Sequence, residues 1–90
     1  MTKFEKFKKA VKSRMGKDFV GFCDARSELR PQFGFATNEP DLGENVPGKY
    51  VDVVREESHK AGFRHVACMP FPVNGRLVYV CAGPELGEKA

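Results

Sequence analysis

The sequence predicts an α+β fold in the order αββαββ: a four-stranded, mainly antiparallel sheet with two helices on one face. Three observations carry that expectation. Residues 3–15 step through apolar positions at helical period behind a capping sequence, residues 65–82 centre on an Asn-Gly turn, and a shift of 46 residues lays one αββ unit on another. In that shift Gly16 falls on Gly62, Val20 on Val66, Phe33 on Tyr79 and Ala36 on Ala82, the pattern of a pseudo-twofold sandwich.

Residues 1–90 form a single domain, because a chain of 90 residues buries only about 60–65% of its extended surface and cannot sustain two cores. A hydrophobic content of 41%, with eight Phe in it, is too high for a disordered chain. Lys3, Lys6, Lys8 and Lys9 interrupt the apolar run that a secretory leader needs, and no later stretch approaches the roughly 18 apolar residues of a membrane span. The expectation is a soluble cytoplasmic protein with no membrane partner. Three cysteines, an odd number without knot-like spacing, read as reduced thiols.

Thr2 and Glu5 stand at capping-box spacing, so a first helix begins at residue 3. Phe4, Phe7, Val11 and Met15 are its apolar stripe and Gly16 its left-handed stop, which gives a helix over 3–15. The runs "DFVGFC" and "PQFGFAT", separated by "DARSELR", read as two antiparallel strands. "NEPDLGENVPG", from Asn38 to Gly48, reads as an acidic surface loop that leads to a second helix near Pro47. Tyr50, Val51, Val54, Ser58 and Ala61 then keep helical spacing as far as Gly62, with Glu56 and Lys60 placed to pair one turn apart.

Asn74-Gly75 tolerates the positive φ angles of a type I′ turn, and that turn sets the register of the last hairpin. Val73 is expected opposite Arg76, Phe71 opposite Val78 and Met69 opposite Val80; between them Pro72 faces Leu77, Pro70 faces Tyr79 and Cys68 faces Cys81. The proline pairs fall at non-hydrogen-bonded positions, so each missing N–H points away from the partner strand. The strand over 65–72 therefore belongs at the sheet edge, where its prolines block an added strand, and the strand over 76–82 is more central. Met69, Phe71, Val78 and Val80 are the expected core-facing set.

Motifs for catalysis are missing. There is no Walker loop, no G-x-G-x-x-G, no G-x-S-x-G and no H-E-x-x-H. His59 and His65 read as solvated side chains, and Glu56 and Glu57, adjacent on a helix, diverge by about 100° instead of converging as a carboxylate pair. His65 and Cys68, three apart on a strand, point to opposite faces, so no metal site and no cofactor is expected. Cys68 and Cys81, cross-strand neighbours at about 4.5 Å between Cα atoms, are close enough for a disulfide; buried thiols filling space are the simpler reading. The chain reads as non-catalytic.

Charge distribution is the strongest functional cue. Residues 1–17 hold seven Lys or Arg against one Glu, a net of +6, which leaves −3 for residues 18–90 and +3 for the whole chain. On the first helix, Lys6, Lys9, Lys12 and, beyond its end, Lys17 lie away from the apolar stripe, while Lys8 and Arg14 flank it. A solvated charged face is the simplest account. The sharper one is a binding surface built from Lys6, Lys9, Lys12, Arg14 and Lys17 that meets an acidic patch on a larger protein or ribonucleoprotein, with the acidic loop around Glu39, Asp41 and Glu44 as a second contact. In this reading the chain is a small regulator or inhibitor, of cellular or viral origin. The alternative is RNA or single-stranded nucleic acid, which would need stacking aromatics such as Phe22, Phe33 or Phe35 on an open sheet face; the aromatic RNP motif is missing. A thiol redox sensor comes third.

Overall fold

The computed structural model describes residues 2–24, 26, 31–43 and 48–87. Within them the order is α1 (Lys3–Met15), β1 (Phe19–Asp24), β2 (Gln32–Pro40), α2 (Val51–Ala61), β3 (Ala67–Val73) and β4 (Arg76–Ala82), with short 3-10 turns at Gly16–Asp18 and Pro84–Gly87. The four strands form one antiparallel sheet in the order β1-β2-β4-β3. The expected αββαββ fold is the observed one.

Local chemistry explains the boundaries. The Thr2 hydroxyl accepts from the Glu5 amide at 3.1 Å, satisfying one orphan donor at the start of α1. Gly16 ends the helix at φ 58, ψ −128, outside the expected left-handed well, so the chain runs on through a 3-10 turn before β1. Asn74 and Gly75 take φ values of 52 and 79, the predicted I′ geometry, and the β3/β4 register is the predicted one residue for residue. β3 is an edge strand and β4 is interior, again as expected.

Several boundaries differ. Asn38, Glu39 and Pro40 continue β2 rather than opening a loop; β3 starts at Ala67, two residues later than expected. α2 begins at Val51, and Pro47, like Glu44 and most of "DARSELR", lies outside the described residues. Lys60 Nζ pairs with Glu57 at 3.3 Å rather than with Glu56, because Glu56 is held by Arg14 of α1 at 2.8 Å.

The larger correction concerns which sheet face is covered. The core is Phe7, Val11 and Met15 of α1, Val54 of α2, Phe33 and Phe35 of β2, Cys68 of β3, and Leu77, Tyr79 and Cys81 of β4, closed by Phe63 and Leu86. Met69, Phe71, Val78 and Val80, expected to face it, lie on the opposite side. The cause is the β2/β4 pairing: Phe33 sits opposite Cys81 and Phe35 opposite Tyr79, so the face carrying the two phenylalanines also carries Tyr79 and Cys81. Both helices use that face. Phe4 and Phe7 meet Phe33 and Phe35 edge-on at 4.9 and 5.4 Å, and Tyr50, which caps α2, meets Tyr79 at 5.8 Å.

The internal symmetry is exact in register. Adding 46 to Phe33 and subtracting it from Cys81 gives Tyr79 and Phe35, which are themselves a β2/β4 pair, and Gly34 opposite Val80 maps onto itself. A pseudo-twofold axis therefore passes through the sheet beside Gly34 and Val80.

A candidate partner-binding surface

Removing the Phe7 ring would cost about 3–5 kcal/mol, whereas the solvation of any one exposed lysine varies by under about 1 kcal/mol. Packing thus decides which way α1 faces. With Phe7, Val11 and Met15 buried, Lys6, Lys9 and Lys12 follow one another at i, i+3 and i+6 along the outward side, and all three are exposed, as is Lys17 on the following turn. Glu5 is the one acidic residue among them.

The remaining cations at this end are committed to contacts inside the molecule. Arg14 Nη1 bonds Glu56 Oε2 at 2.8 Å and lies 3.7 Å from Glu57, joining α1 to α2; the hydrogen bond raises the guanidinium pKa and holds the Glu56 carboxyl below its usual range. Lys3 Nζ pairs with Glu85 at 3.5 Å and stands 4.8 Å from the Phe63 ring. Lys8 lies over the rings of Phe22, Phe4 and Phe33 at 5.0, 5.2 and 5.8 Å, so its stem roofs the aromatic edge of the core. Lys12 keeps one foot in each group, exposed yet 5.4 Å from Phe19. Of the five residues expected to bind a partner, Lys6, Lys9, Lys12 and Lys17 have no ion-pair partner among the described residues, and Arg14 already has one.

The expected second contact does not assemble. Glu39 is buried on the core side of β2: one carboxylate oxygen accepts from the Tyr79 hydroxyl and the other from the Lys49 amide at 3.2 Å. Tyr79 Oη in turn accepts from the Tyr50 amide at 3.2 Å, and the Tyr50 hydroxyl donates to Asp18. Thr37 Oγ1 donates to Leu77 O at 2.8 Å and accepts from the Glu39 amide at 3.1 Å. This network seats α2 on the sheet. Asp41 is exposed, its carboxylate accepting from the Gly43 amide at 3.1 Å.

Nor do the aromatics form a stacking platform. Phe33 and Phe35 are buried beneath the helices, and Phe22, 39% exposed, leans on both from the same side, with Lys8 above it. Cys68 and Cys81 face each other as expected and are buried free thiols, while Cys23 is exposed. Donation to Cys68 and burial push the Cys81 thiol up, so it stays protonated. Among the described residues no three His, Cys, Asp or Glu side chains come together, and no helix is long and apolar enough to cross a membrane. No family model, curated protein or solved structure matches the chain.

Sequence reasoning missed one surface altogether. The sheet face opposite the helices carries Met69, Phe71, Val73, Val78 and Val80, and among the described residues no element packs over them.

Proposed function

We propose that this chain is a small non-catalytic binding module, a cytoplasmic regulator or inhibitor that docks through the outward side of α1 on an acidic surface of a larger protein. One observation carries the reading: Lys6, Lys9 and Lys12 project together, opposite the buried stripe and without acidic partners among the described residues. Three cations on a rigid helix raise the association rate toward an acidic patch and set its orientation. Protein is favoured over nucleic acid because Phe33 and Phe35 are buried under the helices and Phe22 leans on them beneath Lys8, while the exposed Phe71 lies on the side of the sheet away from the lysines of α1.

Capture from a nuclease-treated extract, at about 50 and 200 mM salt, tests the proposal. The wild type should retain a partner in fixed stoichiometry, more weakly at the higher salt, and the combined Lys6→Glu, Lys9→Glu and Lys12→Glu variant should lose it while keeping its circular dichroism spectrum. Retention unchanged by the triple reversal would refute the assignment. Tight, salt-sensitive binding to random RNA that the triple variant abolishes would establish the nucleic-acid alternative instead.

A further inference from the structure

We propose that the uncovered sheet face is a self-association surface, on which two copies of the chain stack face to face about a two-fold axis parallel to the strands. The face is distinct from α1, which lies on the other side of the sheet. Met69 is 59% exposed, Phe71 46% and Val73 50%. For a 90-residue chain to present this much contiguous apolar surface to water is unfavourable.

The occupant is argued from shape and charge. Register places Cys23, Gly34, Val80 and Met69 in one row across the sheet, and Gly21, Ala36, Val78 and Phe71 in the next. In both rows the β1/β2 half is small and the β3/β4 half is bulky, although the internal pseudo-symmetry makes the two halves equivalent in backbone. Cys23 and Val78 do lean toward Gly34, where a built Cβ would meet them at 3.1 and 3.2 Å, so the hollow is shallow. A two-fold axis along the strands, between β2 and β4, lays β3 over the partner's β1 and β4 over the partner's β2. Val80 then meets Gly34, Met69 meets Cys23, Val78 meets Ala36 and Phe71 meets Gly21. In these two rows each large side chain finds a small one, within the roughly 30° stagger of aligned sheet packing.

Charge points the same way. The one formal charge on the described part of this face is Arg76, at the turn end, where Nη1 donates to Asn38 Oδ1 at 2.7 Å. Among the described residues a single cation at one end is a poor match for a polyphosphate or a charged peptide, and the centre of the face holds no charge to repel a second copy.

Area sets the strength. Four strands about 4.8 Å apart and about 23 Å long project about 440 Å² per copy, about 900 Å² for two before side-chain relief is counted. Stable interfaces begin near 1,000–1,200 Å², so this area places the dimer among weak, reversible associations.

Sedimentation equilibrium over about 1 to 500 μM should show a reversible monomer–dimer equilibrium, weakened roughly 100-fold by Val80→Asp, which would bury an unpaired carboxylate. Because a buried aspartate can also unfold the chain, a second variant reads the register directly. Met69→Cys puts a thiol opposite the partner's Cys23, and copper-phenanthroline oxidation should then give a covalent dimer, joined as inter-sheet disulfides join immunoglobulin sandwiches. Adding Cys23→Ser should abolish the cross-link. A folded wild type that stays monomeric at the highest concentration overturns the proposal, as does a cross-link that fails to form or that survives the loss of Cys23.

Discussion

Replacing Tyr79 by Phe removes a single oxygen from the centre of the buried network. The ring, fully buried against Tyr50 and the core, is unaffected, so no cavity forms. Two groups lose their partner: one oxygen of the buried Glu39 carboxylate, and the Tyr50 amide at the start of α2. An unsatisfied buried group costs about 1–3 kcal/mol, more when charged, so the loss should be about 3 kcal/mol. Against the roughly 5–13 kcal/mol expected for a domain of this size, that is a large fraction, equivalent to a fall in Tm of about 10–20 °C. Urea unfolding followed by circular dichroism gives the free energy, and the cycle with Glu39→Gln gives the coupling, expected at about 1–2 kcal/mol because the amide still accepts from Lys49 but no longer leaves a bare charge. A Tyr79→Phe loss below about 0.5 kcal/mol would mean that water already satisfies Glu39 and that the network does not seat α2.

Donation to Asp18 raises the Tyr50 pKa from 10.0 to about 12, so its stabilising effect is fully present below pH 10 and is lost as pH rises through about 12; Tyr50→Phe should flatten that alkaline limb of the Tm profile. Tyrosinate absorbance should accordingly stay low at pH 10.5 in the wild type, and a midpoint near 10 would refute the contact. Gly48→Ala should destabilise by about 1–3 kcal/mol in chemical denaturation, since its Cβ would press on Tyr79, with Cε1 only 2.7 Å away; a neutral result would show that the ring can yield. Thiol titration should count one fast group, Cys23, in the native chain and all three after unfolding, whereas native reactivity of Cys68 or Cys81 at the Cys23 rate would mean that the hairpin opens.

Local signals in the chain were legible wherever one stretch of sequence contains its own partner. The Thr2 cap and the stripe Phe7, Val11, Met15 place α1 to the residue, and Asn74-Gly75 fixes seven cross-strand pairs. Sheet facing is different in kind. A hairpin register yields two alternating sets and does not say which is covered; that was settled by β2, whose pairing with β4 spans more than 40 residues of sequence. Valine, methionine and phenylalanine looked more core-like than a set holding two cysteines and two prolines, yet pairing with β2 puts Tyr79 and Cys81 on the face of Phe33 and Phe35 and so overrides that preference. The signal was present: the 46-residue shift aligns Tyr79 with Phe33, and β2 alternates Phe33, Phe35 and Thr37 against Gly34, Ala36 and Asn38. The role of Arg14 was hidden for a related reason, because Glu56 lies 42 positions away.

Pseudo-symmetry also separates what the fold requires from what it leaves free. Equivalent positions on the paired stretches of the two αββ units have matching register, so a difference in side chain between them there reflects something other than strand topology. On the helices, Lys6 corresponds to Asp52, Lys12 to Ser58 and Ala10 to Glu56, which makes α1 the basic helix and gives α2 the acid that holds Arg14. On the open face, Gly34 corresponds to Val80 and Cys23 to Met69, which makes one half hollow and the other raised. Neither asymmetry helps the monomer: outward lysines contribute little to stability, and exposed Met69 and Phe71 oppose solubility. Two surfaces on opposite sides of one sheet, one charged and one apolar, have the composition expected of a chain that meets a different neighbour on each.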